Sequence, residues 1–153
     1  MLSVAFPLEE FDGDRAVDVF VDGTPLRALV RDAELASATA DGQADLAGSY
    51  AGLRLWNFDP ASGHGVKAHF LGETRSSLGS GPASSTVILG CTCGEAGCWP
   101  LLARVTVTDE EVVWSEFSQP HRPNWSHADL EPSRFDRLQY EAALDALEVV
   151  VTS

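Results

Sequence analysis

The chain has 153 residues, a formal net charge of −13 and a sequence pI near 4.4. An acidic surface of this strength disfavours nucleic acids and anionic membranes as partners, because both carry negative charge. It suits a basic partner protein, or it serves solubility alone. The length is that of one domain, so we predict a single domain over residues 1–153.

Three features predict a cytoplasmic protein. The N-terminal residues lack the basic and apolar regions of a signal peptide, and no apolar run reaches the length of a membrane span. The three cysteines are an odd number, which favours free, metal-bound or redox-active thiols in a reducing compartment over a disulfide framework.

The first predicted element is an antiparallel hairpin around the two-residue turn Asp22-Gly23. Its predicted strands are residues 16–21 and 24–30. This register places Asp18 opposite Arg27, a favourable cross-strand pair. Pro25 lacks the N–H that a strand ladder needs, so the second strand is predicted to lie at a sheet edge.

A long segment rich in glycine, serine and proline follows at about residues 59–85. We predict a flexible loop there, because its composition offers few residues for packing or for a regular element. Phe70 and Leu71 are its predicted packing anchors.

The clearest strand patterns lie between residues 86 and 117. Apolar residues alternate along three successive runs, which predicts an antiparallel meander. The predicted strands are residues 86–91, 101–108 and 112–117.

A C-terminal helix is predicted to begin at residues 131–133, where Pro132 suits a first turn. Its polar side chains gather on one face and apolar residues cover most of the remainder, so the helix should pack across the sheet. Residues 149–151 are predicted to form a last short strand. The predicted fold class is therefore α+β, with an antiparallel sheet built from the N-terminal hairpin and the central meander and covered by the C-terminal helix.

All three cysteines lie in one turn with the pattern C-x-C-G-x-x-G-C. Cys91 and Cys93 are two residues apart, so in an extended strand they point the same way. Gly94 and Gly97 permit the reversal that would bring Cys98 back beside them. Three thiolates and one imidazole form a common closed zinc set, so the turn is a candidate zinc site.

His121 is the first choice for the fourth zinc ligand, because it follows the third strand on a stiff segment flanked by prolines. The alternatives are His64, His69 and His127. Two other uses of the thiols stay open: packing as small buried hydrophobes, or redox and catalytic chemistry. The predicted zinc ligands are Cys91, Cys93, Cys98 and His121.

A nucleophile set of Cys98, His121 and Glu95 is compatible with the sequence, although only geometry establishes such a set. A second candidate site is an aromatic-lined pocket in which Arg122 binds a carboxylate. Packing of the tryptophans in the core is the alternative. The predicted ligand-binding residues are Trp99, Trp114, His121, Arg122 and Trp125.

Three motifs in the second half of the chain carry a resemblance to a group of proteins. They are the Leu-Gly-Cys-Thr-Cys-Gly-Glu-Ala-Gly-Cys-Trp-Pro-Leu run of residues 89–101, the Val-Trp-Ser-Glu-Phe run of residues 113–117 and the Gln-Pro-His-Arg run of residues 119–122. In these motifs the chain resembles a group of small uncharacterised bacterial proteins with no established activity. The resemblance covers residues 89–122 and implies no functional residues.

These observations favour a small cytoplasmic bacterial binding or accessory module with a structural zinc ion at the cysteine turn. A second class is an acidic protein of the immunity or antitoxin type, which binds a basic partner. A third class is a small enzyme that uses the Cys/His region, with the glycine-rich loop as a lid.

Overall fold

The computed structural model describes residues 1–11, 13–73 and 85–152. Within these ranges the chain forms eleven strands and three α-helices. The strands are β1 (Val4–Ala5), β2 (Leu8–Phe11), β3 (Asp14–Val17), β4 (Phe20–Val21), β5 (Thr24–Pro25), β6 (Tyr50–Ala51), β7 (Leu53–Arg54), β8 (Ser85–Cys91), β9 (Leu101–Val107), β10 (Glu111–Ser118) and β11 (Ser133–Asp136). The helices are α1 (Leu26–Ala40), α2 (Val66–Phe70) and α3 (Arg137–Val151).

The largest sheet has five antiparallel strands in the order β11-β10-β9-β8-β6. Its strands β8, β9 and β10 are the predicted meander, which is confirmed to within one residue at each end. The turn between β9 and β10 needs no glycine, because the hydroxyl of Thr108 accepts hydrogen bonds from the backbone N–H groups of Glu110 and Glu111.

The Asp22-Gly23 turn is confirmed, and Pro25 lies on β5 at the edge of a separate sheet of order β1-β4-β5. Both turn residues have positive φ, as this hairpin turn requires. The predicted return strand beyond Pro25 is wrong, because α1 begins at Leu26. The predicted pair nevertheless forms: an Arg27 Nη atom lies 2.6 Å from a carboxylate oxygen of Asp18, now from the first turn of the helix.

Helix α3 begins at Arg137, later than predicted, because the residues before it form the edge strand β11 beside β10. Asp136 caps the helix, and its carboxylate accepts the backbone N–H of Gln139 at 3.0 Å. The predicted last strand at residues 149–151 is wrong. Helical hydrogen bonds continue to Thr152, whose N–H donates to the carbonyl of Glu148, so the backbone N–H groups of this stretch are used by the helix and not by a strand ladder.

Helix α3 covers the large sheet with a narrower apolar face than predicted. Tyr140, Leu144 and Leu147 are buried, whereas the side chain of Leu138 is 79% exposed. Tyr140 packs edge-on against Trp114 of β10 at a ring-centroid distance of 6.0 Å. The α+β fold class, with antiparallel sheets and a covering C-terminal helix, is therefore confirmed.

The segment predicted as a flexible loop contains the short helix α2. Phe70 and Leu71 are buried there, as their predicted role as packing anchors requires. Residues 74–84 of the predicted loop lie outside the described residues. Across the described parts of the chain, no helix is both long enough and apolar enough to cross a membrane.

Candidate functional site

The cysteine turn, residues 91–98, is built by a tight reversal at the end of β8. The N–H of Gly94 donates to the carbonyl of Cys91 at 3.0 Å, and Gly94 has a φ of +95°. A short 3-10 helix then returns the chain, so that the N–H of Cys98 donates to the carbonyl of Glu95 at 3.0 Å. All three cysteines are free, and Cys93 and Cys98 are exposed.

Cys93 is the central thiol of this turn. A hydrogen bond with the backbone of Glu95 lowers the pKa of Cys93, and hydrogen bonds with the Cys91 and Cys98 thiols lower it further. Burial is the main cause that raises the pKa of Cys91. The hydrogen bond with the Cys93 side chain is the main cause that raises the pKa of Cys98. Cys93 is therefore the thiol of the three that ionises first, which is the form that binds metals and attacks electrophiles.

A buried arginine, Arg54, contacts the cysteine turn and fixes its backbone. Arg54 donates from Nη2 to the carbonyl of Thr92 at 3.3 Å and from Nη1 to the carboxylate of Asp14 at 3.1 Å. A Cβ atom on residue 94 would lie only 2.6 Å from Nη1 of Arg54. Gly94 is thus required by its positive φ and also by the guanidinium packed against it.

Gly94→Ala is expected to lower the free energy of unfolding by about 2 kcal/mol, of which about 1 kcal/mol comes from the left-handed backbone. Gly63→Ala is the matched control, because Gly63 has a similar φ of +84° with no atom within 4 Å of the added Cβ. Urea unfolding of both variants separates backbone strain from the contact with Arg54. Equal losses in the two variants would show that the guanidinium moves aside without cost.

His121 lies against the cysteine turn. Its backbone N–H donates to Oε1 of Gln119 at 3.0 Å, and its ring Nε2 lies 2.9 Å from the carbonyl oxygen of Gly97. A carbonyl oxygen only accepts hydrogen bonds, so Nε2 carries the proton and Nδ1 of the neutral ring holds the lone pair. In the described part of the chain, however, no group of three or more His, Cys, Asp or Glu side chains is already arranged to hold a metal ion.

The alternative histidine ligands lie elsewhere. The rings of His64 and His69 are 5.3 Å apart and both pack against Phe58. Nε2 of His127 contacts a carboxylate oxygen of Glu34 at 2.7 Å. His121 is the histidine whose ring contacts the cysteine turn through a hydrogen bond.

Four of the five predicted ligand-binding residues come together beside this turn. The ring of Trp99 stacks on His121 with an interplanar angle of 15°, and the guanidinium carbon of Arg122 lies 5.0 Å from the centre of the Trp99 ring. Trp125 packs edge-on against Trp99 at 5.8 Å. Trp114 does not belong to the group: it is fully buried in the main core, where its indole N–H donates to Oη of Tyr140.

Arg122 lines an open cleft of about 480 Å³, which we call the Arg122 cleft. Trp125 and His127 contribute to its wall, together with Gln119 and two glutamates. Its lining contains neither His121 nor a cysteine. The cysteines therefore do not face the cleft that Arg122 lines, and the set of Cys98, His121 and Glu95 gains no support from this cavity.

The buried carboxylate of Glu34 lies behind this cleft and was not among the predicted site residues. It is fully buried, and it accepts hydrogen bonds from the N–H of Gly48 at 2.9 Å and from Oη of Tyr50 at 2.6 Å, besides its contact with His127. The side-chain amide of Gln119 donates to Oη of Tyr50 at 3.2 Å. Because Gln119 also accepts the N–H of His121, one hydrogen-bond network joins Glu34 to the cysteine turn.

One signal in the sequence could have found Glu34. It lies four residues after Val30 and four before Ala38, on the stripe of α1 that is buried. An acidic residue on the buried stripe of a helix must be supplied with hydrogen-bond donors, so it marks a polar network in the core.

Comparison with known proteins gives no relatives. No family model matches the chain, and neither a curated protein nor a solved structure is significantly similar to it.

Proposed function

We propose that this protein is a small cytoplasmic binding module whose cysteine turn holds a zinc ion through Cys91, Cys93, Cys98 and Nδ1 of His121. One observation carries the proposal. The backbone N–H of Cys93 donates to Sγ of Cys91 at 3.5 Å, and the imidazole of His121 beside them is fixed by a hydrogen bond to the carbonyl of Gly97 in the same turn. Free thiols of this kind persist in a reducing compartment, which is the reason for placing the protein in the cytoplasm.

The three thiols can gather around an ion because they lie in one tight turn. With Zn–S bonds of about 2.3 Å, the sulfur atoms of a tetrahedral site are about 3.8 Å apart, so zinc binding requires the thiols to turn toward one point. The side chains of Cys93 and Cys98 are exposed, so no packed neighbour prevents them from turning toward an ion. The lowered pKa of Cys93 favours the thiolate that would bind first.

The surroundings of the turn also suit a zinc ion. A histidine ligand usually donates its second ring N–H to a carbonyl or a carboxylate, and Nε2 of His121 does so to Gly97. Three thiolates and one neutral imidazole around Zn²⁺ carry a net charge of −1. The guanidinium of Arg54, packed against Gly94, would offset this charge.

Native mass spectrometry of protein purified without a chelator tests the proposal. We expect a mass excess of one zinc ion that disappears on acid denaturation, because protons displace zinc from thiolates. Cys93→Ser and Cys98→Ser should abolish the excess, and His121→Ala should weaken zinc affinity by at least about 10-fold.

Glu95→Gln is the matched control, since this carboxylate lies within the turn but outside the proposed ligand set. It should leave zinc binding unchanged. Metal-free protein with three alkylatable thiols would contradict the proposal, and thiol reactivity would then be the property to measure.

A basic protein partner is a second candidate function, favoured by the charge balance. Within the described residues, six of the chain's ten Lys and Arg side chains form ion pairs, so the charges left unpaired there are mostly carboxylates. Such a surface attracts a basic protein and repels nucleic acids and anionic membranes. A strongly basic protein encoded next to this gene is the partner to titrate, and its affinity should fall steeply as salt is added.

A further inference from the structure

We propose that the Arg122 cleft binds a zwitterionic ligand of the amino-acid type. The carboxylate of the ligand pairs with Arg122, its ammonium group lies near Glu131, and its apolar part packs on Trp125. This site is separate from the proposed zinc site, because the lining of the cleft contains no cysteine and no His121.

Arg122 is held in place by contacts within the protein, none of which, among the described residues, is with a carboxylate. Its Nε donates to Oε1 of Gln43 at 3.3 Å, its Nη1 donates to the carbonyl of His121 at 2.8 Å, and its plane lies over the ring of Trp99. No carboxylate in the described part of the chain forms an ion pair with it. In a chain with 23 acidic residues, a fixed guanidinium that faces a cleft and lacks a carboxylate partner is available for a carboxylate from outside.

The charges around the cleft indicate a ligand with one negative group. Among the described residues, Arg122 is the only Lys or Arg that lines the cleft, and Glu116 and Glu131 also line it. A phosphate dianion or a polyanion would be repelled by these carboxylates and by a protein of net charge −13. Arg122 alone would not offset this repulsion. A monocarboxylate matches the planar guanidinium and needs only one cation.

The same charges indicate that the ligand carries a compensating cation. A plain carboxylate would be repelled by the acidic surface, whereas a zwitterion has no net charge. Glu116 is already paired with Arg104, at 3.0 Å. Glu131 forms no ion pair within the described residues and is exposed on the cleft, so it is available for an ammonium group.

The remaining walls suit an apolar side chain. Phe117, Trp125 and Leu130 line the cleft, and its volume of about 480 Å³ admits a single amino acid with room for water. Trp125 is fixed by a hydrogen bond from its Nε1 to the carboxylate of Asp41 at 2.7 Å. His127 is likewise fixed by Glu34, so the wall is largely formed before a ligand arrives.

Isothermal titration calorimetry with three matched probes tests the proposal. L-leucine carries both charges, isocaproate lacks the ammonium group, and isoamylamine lacks the carboxylate. We expect L-leucine to bind with a Kd of about 0.1–1 mM, which is typical for a ligand of this size, and each analogue to bind at least about 10-fold more weakly. Saturable quenching of tryptophan fluorescence provides a second readout.

Variants assign the two charges. Arg122→Gln should abolish binding of L-leucine, and Arg122→Lys should weaken it because a lysine loses the planar pair of donors. Arg15→Gln is the matched control, since Arg15 is exposed, forms no ion pair within the described residues and does not line the cleft. Glu131→Gln should weaken binding of L-leucine but not binding of isocaproate, which has no ammonium group to lose and meets less repulsion in the variant.

Two results would overturn the proposal. One is the absence of saturable L-leucine binding up to about 10 mM in the folded wild-type protein. The other is equal affinity for L-leucine and isocaproate, which would remove the role of the ammonium group. Cys93→Ser should retain L-leucine binding whether or not the wild-type protein contains zinc, so this test and the zinc test succeed or fail separately.

Discussion

Glu34→Ala is expected to lower the free energy of unfolding by about 3–5 kcal/mol, the usual cost of removing one partner of a buried charged network. The carboxylate is fully buried and satisfies the N–H of Gly48, the hydroxyl of Tyr50 and the ring of His127. Alanine would leave these groups buried around a cavity without acceptors. The effect should extend to Gln119, which donates to the hydroxyl of Tyr50.

Urea unfolding followed by circular dichroism measures this loss. Tyr50→Phe removes one hydrogen bond to the same carboxylate and should cost only about 1–2 kcal/mol. Glu110→Ala is the matched control, because Glu110 lies exposed in the turn between β9 and β10, and its removal should change stability by less than about 0.5 kcal/mol. A loss below about 1 kcal/mol for Glu34→Ala would show that water enters and replaces the carboxylate.

The central meander could be predicted because its signals are local. Each of its three strands has seven or eight residues rich in β-branched and apolar side chains, which alternate in burial along β10 and are buried on both faces along most of β8. The turn at residues 109–110 is stabilised by Thr108, its immediate neighbour. Neither feature depends on distant parts of the chain, so sequence alone was sufficient.

The predicted strand at residues 24–30 forms only at Thr24–Pro25, and its continuation is wrong because a short stretch of sequence can fit both a strand and a helix periodicity. Leu26, Ala28 and Val30 alternate as in a strand, yet Leu26, Val30, Ala33 and Ala38 also follow a helical stripe. The alanine-rich continuation to Ala40 decides for the helix. Asp18 and Arg27 still pair. Arg27 lies only two residues after Pro25, so it stays close to Asp18 whether the chain continues as a strand or as the first turn of a helix.

The predicted start of α3 is wrong because of a tertiary contact, not because of an ambiguous local pattern. Ser133 and Phe135 are buried by pairing with β10, which keeps residues 133–136 extended despite a sequence compatible with helix. Strand pairing supplies backbone hydrogen bonds to another strand, and these cannot be predicted from the local sequence pattern. The buried face of α3 then follows from where β11 ends.

The candidate sites also contain some features that the local sequence predicts and others that depend on tertiary contacts. The approach of His121, Arg122 and Trp99 follows from the stiff segment after β10, which the prolines at positions 120 and 123 make visible in the sequence. Residue type alone does not show that Trp114 is buried in the core while Trp99 lies at the candidate site. Trp114 is buried because its side chain packs against Tyr140 of α3, and this contact is visible only in the folded chain. The network of Glu34 joins residues up to 93 positions apart, so its partners are visible only in the folded chain.

His69 is expected to make the protein lose stability in mild acid. It is fully buried on α2, its Nε2 lies 2.7 Å from the carbonyl oxygen of Val87, and its buried Nδ1 has no hydrogen-bond partner among the described residues. Burial, with a further contribution from His64, lowers the pKa of His69 to about 4 from an ordinary value of 6.5. The folded protein therefore holds this ring neutral at a pH where the unfolded chain already binds a proton.

The sign of the effect follows from this difference. Above about pH 6.5 neither state binds the proton and the contribution of His69 to stability is complete; it is lost as the pH falls from about 6.5 to about 4. The full loss is about 3 kcal/mol, with a slope of up to about 1.4 kcal/mol per pH unit. Acid unfolding should therefore begin in a range where most carboxylates are still ionised.

His69→Gln tests this expectation, because glutamine keeps an N–H donor for the carbonyl of Val87 and does not take up a proton. The variant should be less stable than the wild type at neutral pH by about 1–2 kcal/mol, and its stability should fall less steeply between about pH 6.5 and pH 4. Phe70→Leu is the matched control: it disturbs the neighbouring buried side chain without changing any titratable group, so it should lower stability while keeping the wild-type slope. Urea midpoints across this pH range give the slopes, and parallel profiles for the wild type and His69→Gln would assign the acid sensitivity to other groups.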